Sequence, residues 1–211
     1  FGWAPGSELG WYQITGSRRG AWSGVQGFRF EADDFFRYLA YKDPNWAYKS
    51  RPVDFDKDLA LAERPEYLPI DGVRDTQRFD LKKFTDRGGK LFLYGGWLDL
   101  SLPPGGEIAY YKKVQEKLGA AAAKNSLRFF MVPGMGHCPD STNLDENFGV
   151  DSLKIIEQWK ETGKAPDQLI VPHFKKGAEV GKRLVCPYPQ TAMYKGSGNP
   201  DDAASFTCKA P

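Results

Sequence analysis

The segments KLFLY (residues 90–94) and LRFFMV (residues 127–132) decide the fold, because each is a short apolar run and an amphipathic run lies between them. The intervening segment GEIAYYKKVQEKLG (106–119) carries apolar residues at helical spacing, follows two prolines and ends on Gly119. A strand, a helix and a strand of these lengths predict a βαβ unit of a parallel sheet. The chain is therefore expected to have an α/β fold.

The two predicted strands deliver an aspartate and a histidine to one edge of this sheet. Asp99 lies in the loop GGWLD that follows the first strand, and His137 lies in the loop PGMGHC that follows the second. Because parallel strands have their carboxyl ends at the same edge, where open α/β sheets place their ligand sites, we expect these side chains to be neighbours.

An Asp–His pair at this edge is half of a hydrolase triad. His137 would be the general base and acid, and Asp99 would hold its tautomer and stabilise the imidazolium. In α/β-hydrolases the serine precedes both in the chain, yet the sequence contains no G-x-S-x-G elbow. We therefore expect the nucleophile to precede residue 1, so that the chain is the C-terminal portion of a longer protein.

These residues also admit a structural role, a metal site or a redox role. A lone histidine in a glycine-rich loop and a lone aspartate in a turn are often structural, but their joint placement favours a catalytic pair. A zinc site at His137 and Cys138 would need further ligands at suitable spacing, and a redox thiol would call for C-x-x-C, which is absent. We therefore expect no metal site here.

Three aspartates, Asp54, Asp56 and Asp58, resemble the start of a calcium loop. The pattern fails where it should be strict, because Leu59 stands at the glycine position and Pro65 at the bidentate glutamate position. The start of a short solvated helix over 56–63 is the better interpretation.

The remaining segments carry weaker signals of secondary structure. A short helix is expected around 35–39. FDLKKFTDRGG (79–89) is amphipathic and ends on glycines, DSLKIIEQWKETGK (151–164) is helical with Asp151 or Ser152 at its N-cap and Gly163 at its end, and DQLIVPHF (167–174) is a strand. The tail that follows is expected to be loop.

Composition limits the classes of partner. The chain has 211 residues, 41% of them hydrophobic and 27% charged, which is enough for one domain with a core. Its net charge is +2, with lysines and arginines scattered among the acids, so we expect no nucleic-acid partner. No apolar run approaches the roughly 20 residues of a membrane span, so we expect no membrane partner either.

The three cysteines divide into a pair and a single residue. Cys186 and Cys208 lie in one segment rich in Pro, Gly, Ser and Asn, which predicts a local disulfide and an oxidising compartment, either secreted or periplasmic. Cys138 is left over and points to a partner outside this chain.

Several of these stretches together resemble the tannase and feruloyl esterase family. They are GGKLFLYGGWLDLSLPP (88–104), the tyrosine pair of the following helix, FFMVPGMGHC (129–138) and CPYPQTAMYKGSGNPDDAASFTC (186–208). The resemblance covers nearly all of the chain. It implies the C-terminal part of the parallel sheet of an α/β-hydrolase with part of a lid domain, in which residues 1–60 end the lid and residues 61–211 belong to the catalytic domain.

The resemblance also implies an activity and roles for single residues. It implies a secreted serine esterase that hydrolyses small-molecule phenolic acid esters, with Asp99 as the catalytic acid and His137 as the base. Cys138 would form a disulfide with a cysteine just before the serine, in the N-terminal part of the same protein. No cofactor is implied in this chain, but a structural calcium ion is implied in the upstream lid.

The chain departs from the family pattern in ways that bear on the substrate. Gly95 stands where the family commonly has a histidine, and the segment after Cys138 is less rich in glycine. One alternative is therefore an esterase for another aromatic ester, such as a terephthalate half-ester. Another is a non-catalytic module that binds phenolics or cell-wall polymers.

Overall fold

The computed structural model describes residues 34–62, 79–99, 102, 104–137 and 146–211. These fall into two compact units, one containing residues 34–62 and the other containing the described residues from 79 onward. Residues 1–33 and 63–78 lie outside the described part, and the domain division at residue 60 stays a prediction. None of the described helices is both long and apolar enough to cross a bilayer.

The smaller unit contains a π-helix, Phe35–Ala40, and the helix α1, Phe55–Ala62. The carboxylate of Asp54 caps the start of α1 by accepting hydrogen bonds from the amides of Asp56 (3.1 Å) and Lys57 (3.2 Å). Asp58 is buried and accepts hydrogen bonds from the Tyr41 hydroxyl and from the amide of Asp54 (2.9 Å). The aspartates thus build a helix start, as predicted, although Asp58 is buried rather than solvated.

The predicted βαβ unit is present in the larger unit. Strands β1 (Leu91–Gly96) and β2 (Leu127–Val132) pair in parallel, with Gly96 opposite Val132. The helix α3 (Pro104–Leu118) connects them, and the short helix α2 (Lys82–Asp86) precedes β1. A further helix, α4 (Ala120–Ser126), was not predicted. Its four consecutive alanines have the highest helix propensity of any residue, which was the signal for it.

Both faces of β2 are buried. Leu127, Phe129 and Met131 of β2 pack on one face with α3, while Phe130 and Val132 pack on the other with residues of later strands. Side chains alternate across a strand, so a run such as LRFFMV, which is apolar at every position except Arg128, is typical of a strand covered on both sides. Layers on both faces fix the end of β2, from which His137 follows.

Helix α5 (Ser152–Thr162) has the predicted ends. The carboxylate of Asp151 accepts a hydrogen bond from the amide of Lys154 (3.1 Å), and Gly163 adopts a left-handed conformation at φ 68°. A non-glycine residue would be strained at this φ, so the glycine ends the helix at little cost.

The expectation of a loop for the tail was wrong. The predicted strand β4 (Leu169–Lys175) pairs antiparallel with β3 (Glu146–Phe148) and with β5 (Ala178–Val185). Strands β6 (Thr191–Tyr194) and β7 (Phe206–Lys209) form a second antiparallel pair. These strands are short or polar, and each is stabilised by pairing with another strand, which its own sequence pattern does not reveal.

The disulfide between Cys186 and Cys208 is confirmed, with their Cα atoms 5.6 Å apart. It joins the residue after β5 to β7, and Cys186 is buried together with Leu184 and Ala203. The covalent link therefore ties the terminal strand pair to the antiparallel sheet.

Candidate active site

The turns that follow β1 and β2 are hydrogen-bonded to each other. The amide of Trp97 donates to the carbonyl of Val132 (3.2 Å), and the amide of Leu98 donates to the carbonyl of Met135 (3.0 Å). Because Gly96 and Val132 are opposite each other in the register, the two strands end level and their turns meet side by side. The backbone thus sets the separation of the residues that these turns carry.

Gly96 allows this close approach. A Cβ atom at this position would lie 2.5 Å from the carbonyl oxygen of Gly136 and 2.6 Å from the carbonyl carbon of Met135. Both are backbone atoms and cannot rotate away, so a larger residue would push the second turn off the end of β1. The second glycine of YGGWLD is therefore needed for the approach of the turn that carries His137.

Asp99 and His137 form the predicted pair. His137 Nδ1 lies 2.8 Å from Asp99 Oδ2, and Asp99 Oδ1 accepts a hydrogen bond from the amide of Leu102 (2.8 Å). The Asp99 side chain is 5% exposed, whereas that of His137 is 45% exposed. A buried, backbone-anchored carboxylate that engages Nδ1 leaves Nε2 of a half-exposed imidazole as the nitrogen for proton transfer.

The structure adds an acidic residue that the sequence did not single out. Glu107 lies in the first turn of α3, and its carboxyl group occupies the space over Gly95. Its Oε2 is buried without a hydrogen-bond partner among the described residues. Burial, reinforced by the negative charge of Asp99 and opposed by His137, raises the pKa of Glu107 to about 7.

Two other predicted features have different outcomes. Cys138 follows His137 directly but lies outside the described residues, so its pairing stays a prediction. His173, which falls within the predicted strand 167–174, lies in β4, is buried and stacks on Phe148 with ring centroids 4.9 Å apart. This second histidine is part of the core.

Comparison with known proteins gives consistent matches. A family model described as tannase and feruloyl esterase matches residues 6–209. An uncharacterized esterase of Xanthomonas campestris pv. campestris is 32% identical over 84% of this chain and 36% of its own length. The mono(2-hydroxyethyl) terephthalate hydrolase of Piscinibacter sakaiensis is 41% identical over 63% of this chain and 22% of its own length.

Solved structures agree with the predicted fold. The crystal structure of feruloyl esterase B from Aspergillus oryzae superposes with a TM-score of 0.72 and 25% sequence identity, covering 98% of this chain and 41% of that chain. The α/β-hydrolase-type fold is thereby confirmed. The chain spans less than half the length of each relative compared.

Proposed function

Because this chain belongs to the tannase and feruloyl esterase family, we propose that it is the C-terminal portion of a carboxylic ester hydrolase that acts on phenolic acid esters. The observation that carries the proposal is the 2.8 Å contact between His137 Nδ1 and Asp99 Oδ2. Asp99 is buried and His137 is half-exposed, which suits an orienting acid and a base that must reach a substrate.

In the proposed mechanism, a serine hydroxyl from a segment outside this chain attacks the ester carbonyl. His137 takes the hydroxyl proton through Nε2 and passes it to the oxygen of the departing alcohol. Water then hydrolyses the acyl-enzyme, with His137 again accepting and returning a proton. Asp99 keeps Nδ1 protonated and aimed at itself, so that Nε2 is the free acceptor, and it stabilises the imidazolium formed at each step.

The pair argues against a module that only binds phenolics. Burying a carboxylate against an imidazole costs desolvation, and the cost is only partly offset by the hydrogen bonds to Asp99. Binding a phenolic ligand needs no base with an oriented tautomer. A hydrolase does need one, so the arrangement favours the enzyme.

A second aromatic ester is favoured by one comparison. The relative from Piscinibacter sakaiensis, 41% identical over its matched part, is named as a mono(2-hydroxyethyl) terephthalate hydrolase. A terephthalate half-ester is therefore the second candidate substrate, beside esters of ferulic or gallic acid. Each of the three would present to the Asp–His pair a planar acyl group whose carbonyl is conjugated with an aromatic ring.

The cysteines support a secreted or periplasmic location for the protein. The disulfide between Cys186 and Cys208 belongs to an oxidising compartment. We further propose that Cys138 is linked to the N-terminal part of the same protein, which would fix the His137 loop beside the nucleophile.

The calcium ion that the family resemblance implies is proposed for the upstream lid. Among the described residues of this chain, no three His, Cys, Asp or Glu side chains group together in a way that could hold a metal ion.

The test uses the full-length protein and its His137→Ala variant. Methyl ferulate, methyl gallate and mono(2-hydroxyethyl) terephthalate are supplied separately, and the released acid is quantified. We expect hydrolysis of at least one ester by the parent and its loss in the variant, with both proteins showing the same circular dichroism. Hydrolysis that survives His137→Ala, or a folded parent that cleaves none of the three, would overturn the proposal.

A further inference from the structure

Glu107 is a carboxylic acid beside the Asp99–His137 pair that the proposed mechanism does not use. A Cβ atom on Gly95 would overlap its Oε2 and would lie 2.8 Å from its Cδ and 3.1 Å from its Oε1. The carboxyl group therefore fills the volume that a side chain at position 95 would take. Although they are twelve positions apart in the chain, Gly95 and Glu107 pack directly against each other at the end of β1.

The environment of Glu107 makes its charge responsive to pH. Oε2 is shielded from solvent and has no hydrogen-bond partner among the described residues, which penalises the ionised form. Two charged groups act on it from the neighbouring turns. Asp99, on the turn after β1, disfavours its ionisation, and His137, on the turn after β2, favours it.

We propose that Glu107 is a positioning residue of this site, whose ionised carboxylate stabilises the imidazolium that forms when His137 takes the proton of the nucleophile. The proposal rests on the proposed function, because it requires His137 to act as a base. The attraction is mutual: a positive His137 favours the Glu107 carboxylate, so the carboxylate favours a positive His137 to the same extent. Glu107 itself neither gives nor takes a proton in the reaction.

This role predicts a specific dependence of the rate on pH. Glutamine has the shape of a protonated glutamic acid, so Glu107→Gln should be harmless where Glu107 is neutral. The ratio of kcat/KM between the parent and the variant should be close to one at about pH 5.5 and rise to roughly tenfold at about pH 8.5, the rate equivalent of one pKa unit of interaction. The midpoint of the rise should fall near the pKa of about 7.

Glu116→Gln is the matched control. Glu116 lies on the same helix α3 and is exposed, so the substitution removes the same charge without touching the site. The kcat/KM ratio of parent to this variant should stay near one across the pH range. A Glu107→Gln ratio that does not change with pH would show that Glu107 only fills space, and the proposal would fail.

A second readout needs no turnover. The carbonyl stretch of a protonated carboxylic acid, followed by pH-difference infrared spectroscopy and assigned by its loss in Glu107→Gln, reports the ionisation of Glu107 directly. Its pKa should fall in Asp99→Asn and rise in His137→Ala. If neither substitution moves this titration, Glu107 is not coupled to the pair and the inference is wrong. A parent that shows the coupling but cleaves no ester contradicts the proposed function instead.

Discussion

The amide of Leu98 donates a 3.0 Å hydrogen bond to the carbonyl of Met135, which ties the turn carrying Asp99 to the turn carrying His137. The bond belongs to the backbone, so the spacing of the two turns, and of the backbone positions from which Asp99 and His137 project, is fixed independently of side-chain rotamers. A second bond, from the amide of Trp97 to the carbonyl of Val132, repeats the link closer to the strands. Catalytic pairs need this kind of rigid support, because small displacements cost large factors in rate.

Asp99→Asn in the full-length protein should lower kcat by about 10⁴-fold. The side-chain oxygen of the asparagine can still accept the hydrogen bond from the backbone amide of Leu102. Its side-chain nitrogen can then face Nδ1 of His137, which favours the wrong imidazole tautomer. Steady-state kinetics on whichever ester the parent cleaves would measure this. Asp86→Asn, at an exposed position of α2, serves as the control and should keep parental kcat. Parental activity in Asp99→Asn would mean that Asp99 is not the acid of a triad.

Gly96→Ala should lower kcat/KM by about 100-fold, the effect of a displacement of about 1 Å at a reacting group. The added methyl group meets the backbone at Met135 and Gly136 and must push the His137 turn outward. Gly106→Ala is the matched control, since a Cβ atom there meets nothing within 4 Å and the residue lies in α3. Comparable kcat/KM in the two variants would show that the turn tolerates the extra methyl group.

The Cys186→Ser/Cys208→Ser double variant should unfold more easily, by roughly 2–4 kcal/mol, because the unfolded chain regains the freedom that the cross-link removes. The bond joins β7 to the end of β5 and does not involve the turns after β1 and β2, so kcat at moderate temperature should change little. Chemical denaturation and kinetics on the same preparations would test both statements. An unchanged denaturation midpoint would show that the antiparallel strands hold without the bond.

The parts of the fold that the sequence predicted are those with local signals. Residues 91–132 alternate between apolar runs and a helical period, and the geometry of parallel strands then places Asp99 and His137 together. The ends of α5 followed from Asp151 and Gly163, whose side chain or conformation acts within one turn.

What escaped prediction depends on contacts that the pattern of a single segment does not show. Strand β5 contains a glycine and three charged residues, and it becomes a strand because it pairs with β4 across a two-residue turn. Glu107 is one acid among many in the sequence, and only the fold brings it over Gly95. The carboxyl group from α3 fills the space that a side chain at position 95 would occupy, and no rule of sequence spacing predicts such a contact.

The stability of the parent relative to Glu107→Gln should depend on pH in a defined direction. The folded protein holds the proton of Glu107 up to a pKa of about 7, whereas the usual pKa of an exposed glutamate is 4.5. Between these values the folded state binds more protons than the unfolded state, so the stability that this group contributes is complete below 4.5 and is lost as the pH rises through 7. Glutamine does not titrate, so the melting temperature of the parent should fall relative to that of the variant between about pH 5 and pH 8.

Glu116→Gln, at an exposed position, should show no such trend. If the difference in melting temperature between parent and Glu107→Gln is constant over this range, Glu107 is ionised throughout, and the carboxyl group over Gly95 is stabilised by a partner outside the described residues.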